Sequence, residues 1–226
     1  NRPGIRGIEK PSFRYSFIGW NGRRPPLDDP RVRRALTLAI DRDEILRAFR
    51  GGHGRSAIGP VPPGHWAFAE RVRPLPNDPQ RARRLLEEAG LRGATGETRR
   101  DPAGRALSFQ LLVPAGNDQS RDLAQRIQAD LAAVGAEIRI RPVDFGALVQ
   151  IITGPERDFD AVLLALDADP RLDLRALFHS DALDGPFQVA GYRDAGVDSL
   201  LDAIETTPDR AAARTAWVEL QRVLNR

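Results

Sequence analysis

Three aspartates, Asp167, Asp169 and Asp173, stand close together just beyond the apolar run 161–166. Carboxylates in such a place can receive a ligand ammonium group or a divalent cation, because ligands of open α/β sheets gather at the carboxyl ends of strands. The spacing Asp167-x-Asp169-Pro170 lacks the glycine that a calcium loop needs in its sharp turn. Solvated loop acids, an ammonium partner and a metal site are the three readings of this cluster. Trp20 and Asn21 close another strand, where an indole and an amide could stack on and hydrogen-bond a solute, or pack into the core.

Catalytic arrangements are hard to assemble from the remaining residues. His53, His65 and His179 are far apart in sequence, and none has a second histidine at the i, i+4 spacing of a helical metal site. Ser56, Ser120 and Ser180 lie outside any Gly-x-Ser-x-Gly elbow. Gly51-Gly52-His53-Gly54 offers backbone amides to an anion but lacks the Lys-Ser/Thr of a phosphate loop, and a helix-ending turn is the better explanation. No catalytic residue, metal site or cofactor is assigned.

The 34 basic and 31 acidic residues among 226 leave a net charge of only +3, interleaved along the chain, and aromatic residues make up 6%. That pattern offers no basic stripe with stacking platforms, so nucleic acid is not an expected partner. Lys10 is the single lysine, which reads as arginine-biased composition on a solvated surface. Cysteine is absent, which removes disulfides and thiolate metal sites from consideration. No apolar run approaches the roughly 18 residues that span a bilayer. No charged-then-apolar signal stands at the start, and with Asn1 rather than Met as the first residue that says nothing of the native compartment.

The elements that must position these residues follow from periodicity and punctuation. Phe13, Tyr15 and Phe17 alternate with polar residues and predict a strand ending at Trp20 and Asn21. Asp29-Pro30 and Asp78-Pro79 each pair a cap with proline at the first helical position, and Asp41 to Glu44 places acids as a capping box does. Three helices are expected there, the second ending at Gly51-Gly52 and the third at Gly90. The Gly/Pro-rich stretch 53–76 reads as an ordered surface loop, and 91–104 as an exposed turn or hairpin. Leu107, Phe109, Leu111 and Val113 form a strand; a helix with Leu123, Ile127, Leu131 and Val134 inward follows, then a strand through Ile138 and Ile140. After a short helix over 145–152, the run 161–166 reads as a central strand buried on both faces. Two helices, 197–204 and 208–224, complete one α/β domain with a mixed, mostly parallel sheet flanked by helices. The last is expected to start at a Thr-Pro pair and to carry Trp217 and Leu220 inward.

Phe17-Ile18-Gly19-Trp20-Asn21, then residues 26–36 (Pro-Leu-Asp-Asp-Pro-Arg-Val-Arg-Arg-Ala-Leu), then Ala39-Ile40-Asp41-Arg42 occur in an order that resembles the family 5 solute-binding proteins of peptide-type ABC importers. The likeness continues through Gly59-Pro60-Val61-Pro62-Pro63, the Leu-Leu-Glu-Glu-Ala-Gly ending at Gly90, residues 127–131 with Val134-Gly135, Phe159-Asp160-Ala161, Gly191-Tyr192 and Val197-Asp198. It covers essentially the whole chain.

The resemblance implies a periplasmic-binding-protein-like lobe, the second of two that close around a solute, with the first lobe and a return segment lying outside residues 1–226. It implies a small-molecule or peptide ligand, an ABC permease as membrane partner, a monomer, no enzymatic activity, and a periplasmic or lipoprotein-anchored extracellular location. It also implies that Asp169 receives the ligand's ammonium group; by their position in the chain, Asp167 is expected to support it and Trp20, Asn21, Gln188 and Tyr192 to line the cleft. The chain departs from the family in carrying Ala165-Leu166 where a Gly-Trp pair is common, and in having no arginine in the 114–119 loop. Dipeptide specificity is therefore not assigned, and longer peptides, sugars, opines and metal chelates stay open. Two rival readings are a ligand-sensing lobe of a regulatory protein and a hydrolase.

Overall fold

The computed structural model describes residues 13–168 and 172–225. Chain order is β1 (Arg14–Trp20), α1 (Pro30–Ala39), α2 (Arg42–Arg50), α3 (Pro79–Glu88), β2 (Ser108–Pro114), α4 (Asp118–Ala132), β3 (Glu137–Val143), α5 (Phe145–Thr153), β4 (Ala161–Asp167), α6 (Arg175–Phe178), α7 (Ala195–Thr206) and α8 (Arg210–Leu224). The strands form one sheet in the order β1-β4-β2-β3. β2 runs parallel to β3 and to β4, whereas β1 lies antiparallel beside β4. The mixed, mostly parallel α/β sheet expected from the sequence is what forms.

Local chemistry explains where the helices begin. Asp29 accepts the Arg31 backbone N–H at 2.7 Å and Asp78 that of Arg81 at 2.8 Å, each just ahead of a proline whose missing N–H costs the first turn nothing. Gly51 ends α2 in the left-handed region, at φ 58°, where a side chain would be strained. The last helix departs from expectation: its cap is Asp209, which accepts from Ala211 and Ala212, rather than the Thr207-Pro208 pair. A carboxylate can bond two amides of the open first turn, which explains the later start.

Side-chain alternation distributes the core. Phe109, Leu111 and Val113 of β2 point toward α1, α3 and α4, whereas Leu112 points the other way, toward Leu148 and Ile152 of α5. A third apolar cluster joins α7 and α8 to the Gly/Pro-rich loop through Val61, Ala67, Trp217 and Leu220. Gln221 secures that loop: fully buried, it accepts from the Ala69 N–H at 3.1 Å and donates to the Ala67 carbonyl at 2.8 Å. The loop is thus ordered, held by a packed inner side as well as by its turns.

Two other expectations change. β4 is buried on both faces only over its first three residues and opens toward its end, with Leu166 at 41% exposure. Its cover is short: α5 packs against Leu112, Phe159 and Val162, near the strand's start. The 91–104 segment does turn back on itself, through antiparallel bridges of Arg100 with Arg92 and Ala106, but it is not wholly exposed. Arg99 is buried within it, its guanidinium donating to the carbonyls of Val134 and Leu91 at 2.9 Å each and pairing with Glu87 at 3.2 Å. A buried guanidinium satisfied in this way replaces the apolar plug that periodicity would seek.

Candidate functional site

Because β2, β3 and β4 are parallel, Pro114, Val143 and Asp167 end at one edge of the sheet, where open α/β sheets bind ligands. The antiparallel β1 begins there, so that Arg14 stands opposite Asp167. Arg14 Nη1 lies 3.1 Å from Asp167 Oδ2, and both side chains stay largely in solvent. Phe13 and Leu166 are exposed beside them, as are Phe145 and Val149 at the start of α5, which leaves β3 from the same edge. Burial raises the Tyr15 hydroxyl pKa above its usual value, so this ring, paired with Leu166, remains a neutral half-buried wall. The carboxyl edge therefore combines one exposed ion pair with unusually open apolar surface. Asp169, the main sequence candidate, lies outside the described residues.

The other candidates are placed at the opposite end. Trp20 pairs with Ala161, six strand steps from Asp167, a separation of about 20 Å. Its indole packs edge-on against Phe109, with ring centroids 5.8 Å apart, as part of the core. Asn21 is fully buried: Nδ2 donates to the Arg157 carbonyl at 3.1 Å and the Phe159 carbonyl at 2.7 Å, while Oδ1 accepts from the Arg23 N–H at 3.2 Å. It thereby holds the turn in which Arg157 adopts a left-handed backbone, at φ 48°, immediately before β4.

Gln188 and Tyr192 belong to the segment that packs here, tied by Arg23, which donates to the carbonyls of Leu183, Gln188 and Val189. Gln188 is fully buried and donates to the Tyr192 carbonyl at 2.6 Å, with its Oε1 unpaired. Tyr192 packs edge-on against Phe178, and burial pushes its pKa up to about 12. The structure thus brings Trp20, Asn21, Gln188 and Tyr192 to the amino edge, not to the carboxyl edge with Asp167. This corrects the expectation of one shared lining: Asn21 and Gln188 spend their amides on backbone carbonyls and present no atom to solvent. The residue missed by sequence reading is Arg14, whose role depends on register. Its alternation with Phe13 and Tyr15 was visible, but its partner was not.

Elsewhere, His179 is buried with Nδ1 2.6 Å from Asp181 Oδ1 and Nε2 3.4 Å from Asp202 Oδ1. Arg175 bonds the same two aspartates, and those bonds hold Asp202 below its ordinary carboxylate pKa. These contacts fasten α6 to α7. An open cavity of about 450 Å³ lies between α2 and the segment 52–74, floored by Leu46, Ile58 and Phe68; Gly52, Gly54 and Ser56 line it, whereas Asp167, Trp20, Asn21, Gln188 and Tyr192 do not. Among the described residues no group of three or more His, Cys, Asp or Glu side chains could hold a metal ion.

The order of these elements agrees with known proteins. Residues 1–181 match the profile of the bacterial extracellular solute-binding proteins, family 5, middle region. The chain belongs to that family. The oligopeptide-binding protein AppA of Bacillus subtilis is 30% identical over 199 residues, covering 87% of this chain and 36% of that protein. Probable di/tripeptide-binding protein 5 of Pseudomonas aeruginosa is 34% identical over 194 residues, covering 85% and 35%. The chain thus spans about a third of the length of these relatives. The solved structure of AppA with a nonapeptide superposes with a TM-score of 0.89 at 27% identity, covering 96% of this chain and 44% of that one. NikZ of Campylobacter jejuni in complex with Ni(L-His) has a TM-score of 0.84 at 20% identity, over the same shares, and shares the fold. The relatives named here are solute-binding proteins rather than enzymes. Among the described residues no helix is long and apolar enough to cross a membrane.

Proposed function

We propose that this chain is the second lobe of an extracytoplasmic solute-binding protein that captures peptides or similar small solutes between two lobes and delivers them to an ABC permease. The observation that carries this reading is the open carboxyl edge: exposed Asp167 and Arg14 flanked by exposed Phe13 and Leu166, in a family whose relatives bind peptides. Protein surfaces seldom leave several large apolar side chains uncovered together without a partner. A ligand lying along this edge, with the other lobe closing over it, would cover them, and closure would remove water from the ionic contacts. Asp169, two residues past Asp167, receives the ligand's ammonium group in this scheme, with Asp167 in support. No step in it makes or breaks a covalent bond. The native protein works outside the cytoplasm, in the periplasm or held at the outer membrane face by a lipid anchor, as a monomer.

A thermal-shift screen of the longest form encoded by the gene, and of this chain alone, tests the reading against peptides, sugars and metal chelates. A ligand that binds only the native state raises its melting temperature. Stabilisation of the longer form by peptides, reduced at least about tenfold in affinity by Asp169→Ala, is expected. Unchanged affinity in that variant removes Asp169 from the site, and no response to any solute overturns the transport reading.

A further inference from the structure

The walls of the cavity beside α2 are held by contacts of their own. Gln221 fixes the loop at Ala67 and Ala69, the Asn225 amide donates to the Arg73 carbonyl, and Arg42 of α2 donates to the Leu75 carbonyl. Across the cavity the Ser56 hydroxyl donates to Asp43 Oδ1 at 3.4 Å, tying the loop to the first turn of α2. The walls are therefore preformed, and a volume of about 450 Å³ falls in the range of small-molecule sites. Over the apolar floor stands Arg55, its guanidinium carbon 5.6 Å from the centre of the Phe68 ring. We infer that this cavity is a second ligand site, separate from the carboxyl edge, for small carboxylates with an apolar body: Arg55 receives the carboxylate, and Leu46, Ile58 and Phe68 cover the body.

The charge preference follows from how the polar groups of the cavity are engaged. A guanidinium above an aromatic ring is held there by its charge and keeps N–H groups for a further partner. Among the described residues no carboxylate or carbonyl accepts a hydrogen bond from Arg55, so its donors stand beside apolar surface. The other charged lining residues are occupied. Arg47 pairs with Glu44 at 2.7 Å, and Arg73 donates to the Glu70 carbonyl at 3.1 Å. Asp43 accepts from Ser56 and lies in the first turn of α2, where the helix dipole offsets its charge. Glu70 is followed by Arg71 and Arg73, so its end of the cavity is not net negative. A carboxylate meeting Arg55 gains charge-assisted hydrogen bonds from a planar fork, while its body removes the floor from water. An amine of the same shape meets a like charge there.

Equilibrium dialysis of the longest form encoded by the gene against phenylacetate, phenylacetamide and phenethylamine tests the site, since the three share one body and differ in charge. The wild type is expected to bind phenylacetate about tenfold more tightly than phenylacetamide, and phenethylamine most weakly. Arg55→Gln should reduce the preference for acid over amide to about twofold or less, with Arg55→Lys recovering part of it. Absence of phenylacetate binding, equal binding of acid and amide by the wild type, an unchanged ratio in Arg55→Gln, or binding of the amine as tight as that of the acid each overturns the inference. None of these outcomes bears on peptide binding at the carboxyl edge, because Arg14 and Asp167 do not line the cavity. The melting temperature of Arg55→Gln without ligand should match the wild type, since Arg55 is exposed, and this separates lost binding from lost folding.

Discussion

The two ends of the sheet use polar side chains in opposite ways. At the amino edge, Asn21 and Gln188 are fully buried and directed at backbone carbonyls, and Arg23 ties the 183–189 segment to the strand. At the carboxyl edge, Arg14 and Asp167 face solvent and pair with each other, beside the exposed apolar residues Phe13 and Leu166. The amino edge is where the chain closes on itself; the carboxyl edge is left open. A polar residue at a strand end is therefore a weak pointer to a binding site until its burial and its partners are known.

Substitutions at the two ends should separate stability from binding. The largest effect is expected from Asn21→Leu, which orphans the buried carbonyls of Arg157 and Phe159 and removes the acceptor of the part-buried Arg23 N–H. About 3 kcal/mol should be lost in urea unfolding, and a loss under about 1 kcal/mol would show that the amino edge is not the closed end described. Gly135→Ala, just before β3 at the same end, should cost about 2 kcal/mol in that assay, because φ is +85° and a Cβ would sit 2.9 Å from the Glu97 carbonyl oxygen.

A smaller effect is expected at the cap that starts α1 after this edge. Hydrogen bonding from the Arg31 side chain holds the Asp29 carboxyl below its ordinary pKa, so its contribution is present above the normal carboxylate range and is lost as pH falls through the depressed value. Asp29→Ala should cost about 1 kcal/mol at neutral pH, and the gap to the wild type should close in acid; a gap that widens would contradict the assignment. The smallest effect belongs to the open edge, where Asp167→Ala should change stability by less than about 0.5 kcal/mol. A loss comparable to that of Asn21→Leu would erase the contrast between the ends.

Much of the architecture was legible because its signals are local. The Asp-Pro caps, the glycine stops and the alternation of Phe109, Leu111 and Val113 each depend on a few neighbouring residues, and those elements form as expected. The family resemblance was legible for a related reason, since it resides in ordered short motifs, and the match over residues 1–181 bears it out. The candidate site was less legible. Trp20 and Asn21 read as strand-end residues, which they are, but which end they occupy depends on β1 running antiparallel to β4.

The amino-acid sequence by itself determined the element types, the α/β class and the family, through backbone propensity, capping and side-chain periodicity, all of which act over a few residues. Only the tertiary structure decided that Arg14 meets Asp167, that Asn21 and Gln188 turn inward, and that the end of β4 is left uncovered. Those outcomes depend on strand order, register and the reach of α5, which arise from contacts between residues far apart in the chain and leave no local trace.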